Sequence, residues 1–112
     1  MEFSELPEFA RDLKRLQKKY LSLPKDLEDL KSYLAIKPRG TGGKHWNCIH
    51  RTEKVEVYKV RLTCAYLNAS TMRVIYMYRI EEAAVDLVEL YYKGEKENED
   101  RERVKQYLKG II

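Results

Sequence analysis

The hydrophobic period of this chain changes once, and that change limits the fold more than any single motif does. Between residues 9 and 34 the apolar positions recur every three to four residues: Phe9, Leu13, Leu16 and Tyr20, then Leu27, Leu30 and Leu34. That spacing places them on helical stripes. From about residue 55 the period is two. In "VYKVRLTC", residues 57–64, Tyr58, Val60, Leu62 and Cys64 alternate with Val57, Lys59, Arg61 and Thr63. The two sets therefore face opposite sides of a sheet. Helices first and strands after imply an α+β fold, a helical hairpin packed on one face of a mainly antiparallel sheet.

Local signals set the boundaries. "MEFS" reads as a short first strand. A helix runs through "SELPEFARDLKRLQKKY" with Pro7 in its first turn. A second runs through "LSLPKDLEDLKSYLAIKP", with Ser22 as cap, Pro24 just inside and Pro38 as the stop. "RGTGGK" is a loop that lacks the spacing of a phosphate-cradling P-loop. Residues 46–51 are a candidate strand, while 55–64, 72–80 and 84–92 are strands joined by short connections. A last helix begins near Asp100, its stripe formed by Val104, Tyr107, Leu108 and Ile111. With 55–64, 72–80 and 84–92 as the sheet, the order is β-α-α-β-β-β-α, and residues 1–112 make one domain. The terminal "KGII" is either a frayed helix end or an exposed patch where a partner docks.

Composition narrows the function classes. With 44% hydrophobic and 36% charged residues the chain is globular rather than disordered. Cys48 and Cys64 make no disulfide framework and no CxxC pattern, and Cys64 lies on the apolar row. No apolar run approaches the ~18 residues of a spanning helix, and no secretion-signal pattern opens the chain. The expected setting is the cytoplasm, with no membrane. The net charge is +4, with cations concentrated in residues 11–44 and on the later strands, and acids in "EKENEDRE", residues 95–102. An anionic partner fits that balance.

If the helices cover the Tyr58, Val60 and Leu62 side, Lys59 and Arg61 face the open side. Residues 72–80 repeat the arrangement: Met72, Val74, Tyr76 and Tyr78 on one face, Arg73, Ile75, Met77 and Arg79 on the other. Lys59, Arg61 and Arg73 then share one surface, with Lys93 and Lys96 at its rim. A solvated sheet face normally mixes signs across strands, yet Lys59, Arg61, Arg73 and Arg79 have no acid in their own rows. Such a cluster suits a phosphate. Cleavage of RNA by its own 2′-hydroxyl needs a proton acceptor, cations on the five-coordinate phosphate and a proton for the leaving oxygen. Arginine supplies a fixed fork, and a lysine crowded by cations loses its proton more readily.

His45 and His50 flank Trp46 in "KHWNCIH". They read as acid–base groups, as part of a Trp–His platform for stacking a base, or as ordinary loop residues. Together with Cys48 they are too few and wrongly spaced for zinc, so no metal and no cofactor is expected. Glu81 and Glu82 read as a turn, Glu28 and Asp29 as helix surface, and Tyr107 as packing.

At "YKVRL…MRVIYMYRI…VELYYKGEKENED", preceded by the helix "FARDLKRLQKKY", the chain resembles the RelE/ParE superfamily of toxins from bacterial and archaeal toxin–antitoxin pairs. For the RelE branch the resemblance implies a microbial-RNase-like fold, metal-independent endoribonuclease activity on mRNA in the ribosome, inhibition of translation and neutralisation by a cognate antitoxin. Matched by motif, Lys59, Arg61, Arg73 and Lys93 take the catalytic places. Arg61 and Arg73 would stabilise the phosphate, and Lys59 would aid proton removal or charge stabilisation. Where such enzymes usually carry a tyrosine or histidine soon after the last strand, this chain has "GEKENEDRERVKQY". Tyr92 is the nearest substitute, and it joins Arg79 and Lys96 as the expected nucleic-acid contacts. The alternatives are a ParE-like, non-catalytic inhibitor of DNA gyrase and a non-enzymatic RNA- or protein-binding module.

Overall fold

The computed structural model describes residues 1–111; the side chains of Ala69, Ser70 and Ile111, and all of Ile112, lie outside the description. The proposed stripe position Ile111 and the docking role of "KGII" therefore fall partly beyond it. The elements are β1 (Glu2–Glu5), α1 (Pro7–Gln17), α2 (Leu23–Ile36), β2 (Trp46–Arg51), β3 (Val55–Cys64), β4 (Ala69–Arg79), β5 (Ala84–Tyr92) and α3 (Arg101–Ile111). They form one sheet in the order β1-β5-β4-β3-β2. β1 runs parallel to β5, and the other three pairings are antiparallel.

The α+β reading holds, and β2 extends it to β-α-α-β-β-β-β-α. Both helices of the hairpin carry proline in the first turn, where its missing N–H costs nothing. Ser22 does not cap a backbone N–H of α2. Its hydroxyl donates to Asp26 at 2.8 Å and accepts the Tyr66 N–H at 2.8 Å, tying α2 to the β3–β4 turn.

The helical pair covers one face as the stripes require. Phe9, Leu16, Leu27, Leu30 and Leu34 pack with Tyr58, Val60, Leu62, Val74, Tyr76, Leu87 and Leu90. The opposite face departs from expectation, being open at one end only. Val55, Val57, Ile75, Met77, Val88 and Tyr91 form a second core, closed by Val104 of α3 with Tyr107 and Leu108 packed against it. The row that carries Lys59 and Arg61 is thus apolar at its Val55–Val57 end, and the amphipathic α3 buries that end.

Three groups of polar contacts, centred on Asp86, Glu89 and Arg103, hold α3 in place. Buried Asp86 accepts from Tyr107 O–H and from Arg79 Nε at 2.9 Å. Buried Glu89 accepts from Lys96 Nζ and, at 2.8 Å, from the Asp100 N–H at the start of the helix. Arg103 reaches Asp12 on α1 at 2.7 Å and the Val88 carbonyl at 3.1 Å. Acids absent from the Arg79 row of β4 come from β5 beside it.

The loop between α2 and β2 turns on Gly40, whose φ is +68° and whose missing Cβ would lie 2.0 Å from the Trp46 ring. Gly40→Ala forces both a left-handed alanine, which alone costs ~1–2 kcal/mol, and displacement of the indole. Urea unfolding should show a loss larger than that.

Candidate functional site

The open end of the sheet builds its site rung by rung. Arg61 lies directly across from Arg73, and Arg73 across from Tyr91. On the other side of Arg61 the chain enters β2: Trp46 is opposite Val60, and the Arg61 N–H donates to the His45 carbonyl at 3.1 Å. His45, Arg61, Arg73 and Tyr91 therefore form one rung. The next rung is Asn47, Lys59, Ile75 and Glu89. Side chains opposite one another in such a ladder have Cβ atoms about 5 Å apart.

These rungs enclose a cavity of about 200 Å³ lined by Lys44, His45, Asn47, Lys59, Arg61, Arg73 and Lys93. No carboxylate is among its lining residues. Larger grooves of about 520 and 420 Å³ lie where β2 approaches α3, lined by residues such as Ile49, His50, Lys105 and Leu108. Their walls are mainly apolar and gather fewer phosphate-binding groups, so the smaller cavity is the better candidate for chemistry on an anion.

Burial and like charge tune the cations. Arg73 is 6% exposed and donates to the Met72 carbonyl at 3.0 Å. Burial, then the nearby Arg61, push its guanidinium below the usual value. Lys59 goes the other way. Burial alone would lower its ammonium, but the hydrogen bond to Glu99 at 3.1 Å and the neighbouring Tyr91 hydroxyl outweigh that and raise it. The Tyr91 hydroxyl is itself buried, with no partner at hydrogen-bond geometry, and burial pushes it up against the opposing pull of the adjacent Lys59. The expectation of a lysine whose proton is loosened by crowding cations is thereby corrected: the acidic segment after β5 folds back and keeps Lys59 protonated.

All four residues expected to be catalytic, Lys59, Arg61, Arg73 and Lys93, meet in the cavity. The three expected nucleic-acid contacts do not line it. Arg79 is at the far end of β4, paired with Asp86. Lys96 is paired with Glu89. Tyr92 points to the helix side, its ring 5.2 Å from Tyr20. Each is drawn away by a buried carboxylate or an aromatic neighbour. The Trp–His platform also fails, because Trp46 packs 5.4 Å from Tyr33 and donates to the Tyr76 hydroxyl at 2.7 Å. Lys44 and Asn47 went unmarked in sequence. Alternation through "HWN" is the signal for Asn47, since a core-facing Trp46 sends His45 and Asn47 to the other side; Lys44 enters from the loop before β2, where alternation does not apply.

The loop that carries His45 is fastened by Glu56, which accepts from Arg39 Nε at 2.8 Å and Tyr58 O–H at 2.7 Å, with Arg51 at 3.3 Å. Burial pushes this carboxyl up, but the bonds from Tyr58 and Arg39 prevail and hold it below its ordinary 4.5. A depressed carboxyl stabilises the fold above its unfolded pKa and loses that contribution as pH falls through the lower folded value. The stability gap between the natural chain and Glu56→Gln in urea melts should therefore be full at pH 7 and close below about pH 4.

Comparison with known proteins bears on the fold. No protein-family model and no curated protein matches the sequence. Among solved structures, the chain resembles RelE in the archaeal RelE–RelB complex from Pyrococcus horikoshii OT3, with a TM-score of 0.61 and 15% identity over 83% of this chain and 94% of that one. It also resembles a double arginine-to-alanine mutant of the E. coli toxin RelE in the free state, with a TM-score of 0.60 and 17% identity over 99% of this chain and 97% of that one. The chain has the RelE fold.

Proposed function

We propose that the chain is a single-domain toxin of a toxin–antitoxin pair, a cytoplasmic endoribonuclease that cuts mRNA on the ribosome and so inhibits translation. The observation that carries this reading is the convergence of Lys59, Arg61, Arg73 and Lys93, drawn from β3, β4 and the segment after β5, in one cavity with no carboxylate in its lining. A cognate antitoxin is the protein partner this implies, and the archaeal RelE likeness, solved as a RelE–RelB complex, supports it.

The chemistry follows from the charges. Attack of the 2′-hydroxyl makes a five-coordinate phosphate whose non-bridging oxygens gain negative charge. Arg61 and Arg73, side by side on one rung, present two guanidinium forks where that charge grows. Lys59, held protonated by Glu99, adds a fixed cation one rung away and a proton for the departing 5′-oxygen. Cations fixed in place by the sheet before the substrate arrives are preorganised, so little rearrangement is needed as the transition state forms.

Controlled expression tests the reading. The natural chain should arrest bacterial growth and produce cuts in translated mRNA, whereas a variant carrying Lys59→Gln, Arg61→Gln and Arg73→Gln should do neither. Arrest with intact mRNA and inhibited DNA supercoiling would instead indicate gyrase as the target.

A further inference from the structure

We propose that His45 is the catalytic base of the cavity, the group that takes the proton from the attacking 2′-hydroxyl. The inference rests on the RNA-cleavage reading above and supplies a group that the segment after β5 does not bring to the cavity. With Lys59 held as an ammonium by Glu99, a different acceptor is needed. Of the cavity's lining residues, His45 alone carries an imidazole, the side chain suited to accept a proton near neutral pH.

Its placement is fixed by the fold. The bond from Arg61 N–H to the His45 carbonyl continues the β2–β3 ladder by one residue. The packing of Trp46 against Tyr33 and Tyr76 commits position 46 to the helix side. Alternation then leaves His45 on the cavity side, on the rung of Arg61 and Arg73. Lys59 is two residues along β3 from Arg61, a step of about 6.5–7 Å in an extended strand. A phosphate held by the two arginines thus has the imidazole beside it on the same rung and the ammonium one rung along the sheet.

The charged groups facing His45 are Lys44 on its own loop, Arg61 on β3 and Arg73 on β4, with Lys59 and Lys93 completing the cavity. Although the side chain is exposed, some desolvation, then Arg61, Lys44 and Arg73, lower its imidazole below the ordinary 6.5. At neutral pH it is the free base. In the step itself, the 2′-O–H proton passes to an imidazole nitrogen as the 2′-O–P bond forms. The P–O5′ bond breaks, and the 5′-oxygen takes its proton from the Lys59 ammonium. The products are a 2′,3′-cyclic phosphate and a 5′-hydroxyl, and solvent returns both side chains to their starting states.

Single-turnover cleavage of ribosome-bound mRNA, followed from about pH 5 to 8, tests this. The natural chain should speed up with pH and level off near or below the unperturbed imidazole value. His45→Ala should be slower by about 10²–10⁴-fold, lose that rise and regain part of the rate on adding free imidazole. His45→Asn should be equally slow, with both variants melting like the natural chain. Cleavage by His45→Ala at the natural rate would overturn the assignment, as would a slow variant that keeps the rise and ignores imidazole. If the natural chain cuts no mRNA, the RNA-cleavage reading itself falls, a result distinct from either.

Discussion

Replacing Arg61 by alanine is expected to slow cleavage of ribosome-bound mRNA by about 10²–10³-fold while moving the melting temperature by no more than ~2 °C. The side chain is exposed, lines the cavity and stands across from Arg73. Its loss removes one of two forks from the phosphate and little from the core. Arg73→Lys should also lose activity on that scale, because an ammonium cannot bridge two oxygens in the plane of a fork. Quench-flow rates with thermal melts on the same preparations separate the two effects. An Arg61→Ala rate within threefold of the natural one would mean that this pair does not hold the reacting phosphate.

The second large effect is on stability. Asp86 is 2% exposed, bonded to Arg79 and Tyr107, and sits beneath the helix that closes the second core. Asp86→Ala leaves the Arg79 guanidinium without its buried carboxylate and the Tyr107 hydroxyl without its acceptor. Removing one member of such a pair costs about 3–5 kcal/mol, or roughly 10–20 °C in a domain of this size. Urea unfolding followed by circular dichroism should show that loss. The double change Asp86→Leu with Arg79→Met, which removes both charges together, should recover part of it. A cost below about 1 kcal/mol for Asp86→Ala would show that α3 is held by Val104, Tyr107 and Leu108 alone.

These two residues also mark how far the sequence can be read. Periodicity reaches Lys59, Arg61 and Arg73 because alternation is a local property: once Tyr58, Val60 and Val74 face the helices, their neighbours face away. The same local rule locates both helices of the hairpin and the β3 and β5 strands. It does not reveal what covers the second face. Whether Val57, Ile75 and Met77 meet solvent or α3 depends on a helix more than 20 residues further along the chain. Pairing shares this limit. Arg79 and Lys96 look like free cations in sequence, but Asp86 and Glu89 reach them across strands or turns. Glu99 likewise reaches Lys59 over 40 positions. Tyr92 belongs to the helix side by the alternation of its own strand, and analogy with other toxins drew it into the site. His45 was visible as a residue but not as a position, since only the packing of Trp46 decides which way the loop enters the sheet.

Glu99 gives the site its particular character. The acidic run at 95–102 looked like a counterweight to a basic protein, and in the fold one of its members touches the cation cluster from below. The charge that keeps Lys59 an ammonium is thus carried by the same segment that leads into α3, so the stability of that helix and the protonation state of the cavity are linked. Among the described residues no helix is long and apolar enough to cross a membrane.

The central claim is that the cavity of Lys59, Arg61, Arg73 and Lys93 cuts RNA held on the ribosome. Primer extension on a defined mRNA in a reconstituted translation system, with and without ribosomes, tests it most directly. The account predicts discrete cuts within the translated frame only when ribosomes are present, and none with the Arg61→Ala and Arg73→Ala double variant. Uncut mRNA in the presence of translating ribosomes and natural protein would contradict it.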